Sequence, residues 1–408
     1  MDPFAYLFSL EQFGIKFGLE NITAVVERLG RPDRTYRTVH VAGTNGKGSV
    51  TAMVDAVLRA AGLRSARYTS PHLVSLNERF VIDGRPIATD ALAAAIGDVR
   101  AAVEALRRDG TLDVQPTFFE VTTAVAFEIF RRAAVDVAVV EVGLGGRLDA
   151  TNVVAPAVTA ITSIGFDHQL YLGGTLESIA LEKAGIVKAS VPVVVGDIAG
   201  GPLAVIERVA VERRAPLVRT SPSDVAGFRV GLRGDHQLGN AAVAVRILRL
   251  LDAQGLPVND SAIAAGLAHP GWPGRLDERI LPDGRRMLLD AAHNPAGAAA
   301  LASYLRNGAP APLVFAAMRD KDVDGMFQEL LPAVSAAIVT RAANPRSADP
   351  ESIAARARAI APALHVAVEP SLAGALAAAW RLSPRIVVAG SIFLLGDVMK
   401  LESLKFEV

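Results

Sequence analysis

The chain has 408 residues, enough for two or three domains, and 51% of them are hydrophobic, enough to fill more than one core. Lys and Arg together number 42, as do Asp and Glu. Bulk charge therefore gives no support for binding nucleic acid or a membrane surface, and an anionic ligand needs a local site. The absence of cysteine excludes disulfides, thiolate nucleophiles and cysteine-bound zinc. With no signal-peptide pattern and no apolar run long enough to span a bilayer, the expectation is a soluble, cytoplasmic protein.

In chain order, the first buried strand is expected in "RTVHVAG" (37–43). It runs into Gly43-Thr44-Asn45-Gly46-Lys47-Gly48-Ser49 and then the helical pattern "VTAMVDAVLRAAG". The segment departs from the Walker A pattern, G-x-x-x-x-G-K-[ST]: Val41 stands five residues before Gly46, and Gly48 separates Lys47 from Ser49. Strand, glycine turn and helix are still the context of a phosphate loop. Backbone N–H groups and a helix N-terminus face the anion, glycines let it approach, and a lysine adds a point charge. The alternative is a glycine-rich turn carrying a surface lysine.

"RSARYTS", "DVAVVEVG", "AVTAITSIG" and "VPVVVGD" read as further buried parallel strands bracketed by helices, an α/β sandwich. Ligands of open α/β sheets lie beyond the carboxyl ends of the strands. Lys47, Ser70, Glu141 and the pair Asp167-His168 fall there. Glu141 ends a continuous apolar strand, where a carboxylate needs a cation, either a bound ion or a salt-bridge partner. Phosphate loop, carboxylate and hydroxyl in one crevice imply Mg²⁺ bridging nucleotide phosphates. His168 is a less usual magnesium ligand and equally suits substrate contact or another divalent ion. In "GTLESIALEKAGIVK", Leu176, Ile179, Lys183 and Ile186 recur at helical spacing, so Lys183 lies on the apolar stripe. It either snorkels along the helix or needs a partner or a chemical change.

After the Pro/Gly-rich "HPGWPGRLDE" (269–278), strands restart with "RMLLDAAHNP", "APLVFAAM", "SAAIVTR", "LHVAV" and "RIVVAGSIF". The boundary is expected near Asp277, giving domains 1–276 and 277–408, each with its own sheet.

"HVAGTNGKGSV", "TSPHLVSLNERF", "PTFFEVTTAVAFEIF", "EVGLGGRLDATN", "TSIGFDH", "ESIALEKAGIVK", "GDHQLGNAAVAV", "PGRLD", "LDAAHNP" and "DKD" occur in that order. Together they resemble the folylpolyglutamate synthase family of the Mur ligase superfamily, in particular its bifunctional dihydrofolate synthase/folylpolyglutamate synthase members in bacteria, over nearly the whole chain. The resemblance implies an α/β fold of two domains: an N-terminal phosphate-loop ATPase domain with a mainly parallel sheet, and a smaller, Rossmann-like C-terminal domain. It implies ATP-dependent amide formation. A pteroate or folate carboxylate attacks the γ-phosphate, and the amine of L-glutamate displaces phosphate from the resulting acyl phosphate. Its partners would be dihydropteroate or a reduced folate, L-glutamate and ATP, with no nucleic acid or membrane, and a monomer.

The family's site residues carry over by position. Asn45, Gly46, Lys47, Gly48 and Ser49 match its phosphate cradle. Ser70, Glu141 and His168 match ligands of Mg²⁺, and Lys183 the lysine that is carboxylated on its side-chain nitrogen to ligate a second Mg²⁺. Asn240, Arg275 and Asp290 match nucleotide contacts, and His293 a histidine near nucleotide and glutamate. Thr117, Phe118, Phe119 and Glu120, with Leu148, Asp149 and Ala150, match the pterin-binding positions. On this resemblance Lys47, Lys183, His168 and His293 are the catalytic set. Thr117 and Glu120 also read as a helix-capping box, and Arg275 as a linker salt bridge. Two departures stand out: Gln169-Leu170 follow the Asp-His where a polar pair is commoner, and Ala291 replaces a glycine. Folylpolyglutamate synthase activity alone, or another amino-acid ligase of the superfamily, is the competing reading. Ligases of UDP-linked precursors carry a further domain before the phosphate loop, for which about forty residues are too few. A phosphate-loop switch would need neither a second α/β domain nor a buried lysine.

Overall fold

The structure, a computed structural model, describes residues 2–14 and 16–406. The chain folds into two compact units. The first comprises Met1–Ile164, Leu172–Gly231 and Leu238–Gly271; the second comprises Gly165–Tyr171, Leu232–Gln237 and Trp272–Val408.

The first unit is built on eight strands: β1 (Arg37–Ala42), β2 (Ser65–Tyr68), β3 (Phe80–Ile82), β4 (Arg85–Pro86), β5 (Val137–Glu141), β6 (Val158–Ile161), β7 (Val193–Val195) and β8 (Leu217–Arg219). Their order is β4-β3-β2-β5-β1-β6-β7-β8. All neighbours are parallel except β2/β3 and β3/β4. β1 lies between β5 and β6, with Val41 opposite Glu141 and Val39 opposite Val158. Covered by helices on both faces, the central strands are apolar throughout: β5 reads Val-Ala-Val-Val-Glu, every residue buried. The helix Lys47–Ala60 follows β1 and buries Val50, Met53, Val54, Val57 and Leu58. A second helix, Phe118–Arg132, packs Val121, Val125, Phe127 and Phe130 into the same core as Tyr68 and Phe80. A separate core under β6 and β7 gathers Ile161, Ala180, Ala184, Val193, Val195 and Ile206.

The second unit carries six strands: β9 (Asp277–Ile280), β10 (Arg286–Leu289), β11 (Pro312–Phe315), β12 (Ala336–Val339), β13 (His365–Val368) and β14 (Arg385–Ala389). They are ordered β13-β12-β11-β14-β10-β9 and parallel except for β9/β10. Its core centres on Leu288, Phe315, Phe327, Leu330 and Val387, with the rings of Phe315 and Phe327 4.6 Å apart between centroids.

This is the two-sheet, mostly parallel α/β architecture read from the sequence. The strands the sequence did not announce are β3, β4, β8 and β9, all short, at sheet edges, or polar. Among the described residues, no helix is long and apolar enough to cross a membrane.

Candidate functional site

Strand order brings the expected site residues of the first unit to one edge of its sheet. β2, β5 and β1 are consecutive in the sheet and parallel, so the residues that follow them emerge side by side at one edge. From β1 comes the glycine turn. Gly43 has φ +150°, and a Cβ there would lie 1.9 Å from Thr162 Oγ1; Gly46 has φ +85°, and its Cβ would lie 2.2 Å from Asn240 Oδ1. Both positions thus need glycine for conformation and for space. The turn is tied to the chain beyond β6: Thr44 N–H donates to Ser163 O (2.8 Å), Asn45 N–H to Ser163 Oγ (3.0 Å), and the Ser163 hydroxyl to Asn45 O (3.0 Å). Lys47 Nζ folds back onto Gly43 O and Thr44 O, both at 3.1 Å. A helix of 14 residues starts at Lys47, so its first N–H groups open toward the turn.

From β5 comes Glu141, 5% exposed, and from β2 comes Ser70, whose backbone N–H donates to Glu141 Oε2 at 3.3 Å. The loop beyond Glu141 is held from two sides. A Cβ on Gly143 would strike the Phe119 ring at 2.4 Å. One on Gly146 would meet the carbonyls of Glu182 and Lys183 at 2.8 and 2.9 Å, and one on Gly185 would meet Arg147 Cα at 2.4 Å. Arg147 N–H donates to Glu182 O at 2.8 Å. The loop therefore lies against the end of the helix Leu176–Ala184, on which Lys183 is 5% exposed.

Two carboxylates border this loop. Asp149 Oδ2 accepts from Leu144 N–H (2.8 Å) and Oδ1 from Thr151 N–H (3.0 Å) and the Thr151 hydroxyl. Burial pushes its carboxyl up, and these hydrogen bonds oppose that. Glu120 completes a capping box with Thr117: its Oε2 accepts from Thr117 N–H (2.8 Å) and hydroxyl (2.9 Å), while Glu120 N–H donates to Thr117 Oγ1 (3.2 Å). Its other oxygen, Oε1, is buried with no hydrogen-bond partner among the described residues. An unmatched buried acceptor costs about 1–3 kcal/mol, which a ligand donor would recover. Phe118 is stacked on Phe8 with centroids 6.2 Å apart and has the Arg79 guanidinium over its face. Leu148 and Ala150 flank Asp149, and Ala150 is buried.

The remaining expected residues belong to the second unit. Asp167 is the hub of a polar cluster: Lys321 Nζ lies 2.6 Å from Oδ1, Asn294 Nδ2 3.1 Å from Oδ2, and His293 Nε2 3.5 Å from Oδ2. Burial works to raise the Asp167 pKa, but hydrogen bonding and charge from His293, with the charge of Lys321, hold it well below the usual carboxylate range. His168 has φ +51°, with Nε2 3.5 Å from Lys321 Nζ; burial lowers its pKa to about 4 against the pull of Asp167. Asp290 Oδ2 accepts from Leu276 N–H (2.8 Å) and Oδ1 from Ala292 N–H (2.9 Å). Burial raises its pKa, and the Arg275 charge is the largest influence lowering it. The guanidinium of Arg275 sits 5.9 Å from the Trp272 ring centroid and donates to Gly274 O.

Asn45–Ser49, Ser70, Glu141, Thr117–Glu120, Leu148–Ala150, Lys183 and Asn240 therefore lie in the first unit, and His168, Arg275, Asp290 and His293 in the second. Sequence reasoning assigned nothing to Lys321, although it stands in the quoted "DKD". A lysine between two aspartates reads as a solvated charge run, and only folding pairs it with Asp167, 154 residues away.

Known proteins match the same architecture. Residues 41–197 match the Mur ligase middle domain and residues 274–392 the Mur ligase, glutamate ligase domain. The dihydrofolate synthase/folylpolyglutamate synthase of Bacillus subtilis (strain 168) is 36% identical over 346 residues, 78% of this chain and 80% of that protein. That of Escherichia coli (strain K12) is 34% identical, over 86% of this chain and 83% of that one. Mycobacterium tuberculosis folylpolyglutamate synthase complexed with ADP and AMPPCP superposes with a TM-score of 0.88 at 35% identity, covering 98% of this chain and 99% of that chain. E. coli FolC in complex with DHPP and ADP also gives 0.88, at 31% identity over 99% and 98% of the two chains. The chain belongs to the dihydrofolate synthase/folylpolyglutamate synthase family of Mur ligases.

Proposed function

We propose that the protein is an ATP-dependent acid–amino-acid ligase that adds L-glutamate to dihydropteroate, to the glutamate tail of reduced folates, or to both, through an acyl phosphate, releasing ADP and phosphate. The observation that carries this reading is the buried Glu141 carboxylate, hydrogen-bonded to Ser70, on the strand beside the one that opens into the glycine turn. Relatives bound to ADP, AMPPCP and DHPP support the same substrates here.

The donor set fits Mg²⁺. Among the described residues no three His, Asp or Glu gather as a metal cluster. Mg²⁺ keeps several waters and shares phosphate oxygens, so one or two protein oxygens suffice, and Glu141 and the Ser70 hydroxyl supply them. Bound there, Mg²⁺ would offset the charge of triphosphate and acid as they approach. Lys183, 5% exposed near the end of its helix, suits carboxylation on Nζ, which would convert it to an oxygen donor for a second Mg²⁺.

The chain's own residues then divide the work. Within the Asn45–Ser49 turn, the N–H groups of Gly46–Ser49 and the Lys47 ammonium hold the phosphates, which requires Lys47 to exchange its two backbone carbonyls for phosphate oxygens. Thr117–Glu120 and Leu148–Ala150 hold the pterin, with Glu120 Oε1 the acceptor in want of a donor. Asn240, Arg275 and Asp290 contact the nucleotide. His293, beside Asp167 and Lys321, serves the incoming glutamate. Residues 1–276 thus bind ATP and pterin, and residues 277–408 contribute glutamate and nucleotide contacts.

The test is to incubate the protein with ATP, Mg²⁺ and glutamate, offering dihydropteroate and tetrahydrofolate separately, and to weigh the products. The expected result is a product one glutamate heavier and phosphate release that depends on the acceptor. Phosphate release indifferent to acceptor would instead mark a nucleotide switch. Glu141→Gln should lose more than about 100-fold in turnover, since it removes a charge placed at the reacting phosphates.

A further inference from the structure

A chain of buried side chains, His40, Thr151 and Asp149, runs from the middle of β1 to the loop after β5. His40 and Thr151 are fully buried, and His40 Nε2 lies 2.8 Å from Thr151 Oγ1. The Thr151 hydroxyl is in turn hydrogen-bonded to Asp149 Oδ1. An ionised carboxylate only accepts, so the single hydroxyl proton of Thr151 goes to Asp149. Thr151 Oγ1 must then accept from His40, which fixes the imidazole as its Nε2–H tautomer with a bare Nδ1. Nδ1 of His40 makes no hydrogen bond among the described residues, so in this direction the unmet group is an acceptor and not a donor. Reversing the chain would leave an Nδ1–H donor buried with nothing to bond, the costlier arrangement.

We propose that His40 is a positioning residue: through Thr151 it holds the Asp149 carboxylate, and with it the backbone of residues 143–151, in the shape that receives the pterin. This rests on reading that loop as the pterin site. Asp149 has its oxygens engaged with Leu144 and Thr151, so its part is to fold the loop while Glu120 supplies the unmatched acceptor. Burial, aided by the charge of Lys188, lowers the His40 pKa to about 3, so the ring stays neutral at pH 7. Of the hydrogen bonds that counter the burial of Asp149, the one from the Thr151 side chain is the largest.

The protein labelled with ¹⁵N-histidine should show one ring, identified by its loss in His40→Gln, with the proton on Nε2 and Nδ1 unprotonated from pH 8 to pH 5. Thr151→Val should raise the KM for dihydropteroate about tenfold, the worth of one hydrogen bond to a charged group, without moving the KM for ATP. Thr151→Ser and His40→Gln, which keep the donors, should stay within about twofold of the wild type. An Nδ1–H or doubly protonated ring overturns the proposal, as does a Thr151→Val variant that shifts both KM values alike or neither. Failure of the wild type to form any glutamate adduct would instead overturn the ligase reading, and the tautomer measurement would still decide the direction of the chain.

Discussion

A histidine in the middle of a central parallel strand is tolerated only if its polar edge is met, and His40 meets it with one hydroxyl. Its folded-state pKa of about 3 lies below the ordinary histidine value of 6.5. A depressed pKa means that the unfolded chain binds the proton first as pH falls. The stability His40 contributes is therefore present above pH 6.5 and lost as pH drops from there toward 3. The wild type should lose stability across that window with an extra slope of about 1.4 kcal/mol per pH unit relative to His40→Gln, measurable by urea titration at each pH. At this scale the sequence was legible where a residue broke a pattern. Glu141 stood out because a carboxylate ended an apolar strand. Lys183 stood out on a helical stripe, and it is buried as its position implied. His40 passed as one more strand residue, and Lys321 as one more surface charge, because their partners, Thr151 and Asp167, are remote in sequence.

The strands written as long β-branched runs formed where the sequence put them, because both faces of a central parallel strand must be apolar and leave a continuous signal. The edges had no such signal. β9 reads Asp-Glu-Arg-Ile, and its charges suit an outer, antiparallel position while hiding it inside an apparent linker. β4 is two residues long, one of them proline. Turns were legible through glycine, above all the glycine turn after β1, where Gly46 holds φ +85° and Asn240 Oδ1 fills the place a Cβ would take. Gly46→Ala must bear a strained positive φ and displace Asn240 as well. It should cost about 1–3 kcal/mol in denaturant unfolding and weaken ATP binding, read by calorimetric titration, with the greater effect on binding. A variant that folds stably and binds ATP like the wild type would contradict the close approach.

Two sheets with separate cores make the chain two cooperative objects. Calorimetry should accordingly resolve more than one transition, since each unit has its own buried interior to melt. Phe327→Ala removes a fully buried ring whose centroid lies 4.6 Å from that of Phe315 and should destabilise the second unit by about 3–5 kcal/mol. Only the transition belonging to that unit should move; a uniform downward shift of the whole profile would count against separate interiors. The composition foretold such a division, because 51% hydrophobic residues over 408 positions exceed what one core of ordinary size takes up. It could not foretell that Gly165–Tyr171 and Leu232–Gln237, embedded in the first stretch of sequence, pack with the second unit, for chain order records neighbours along the backbone and not across space.

Gly146 and Gly185 each occupy the room that the other segment's backbone would deny to a side chain. Main chain rests on main chain there, so the distance between the loop beyond Glu141 and the helix bearing Lys183 is set by peptide groups alone. Substitutions on the helix's outward surface can accumulate without shifting Lys183, whereas a single methyl group at either glycine would wedge apart the loop and the helix.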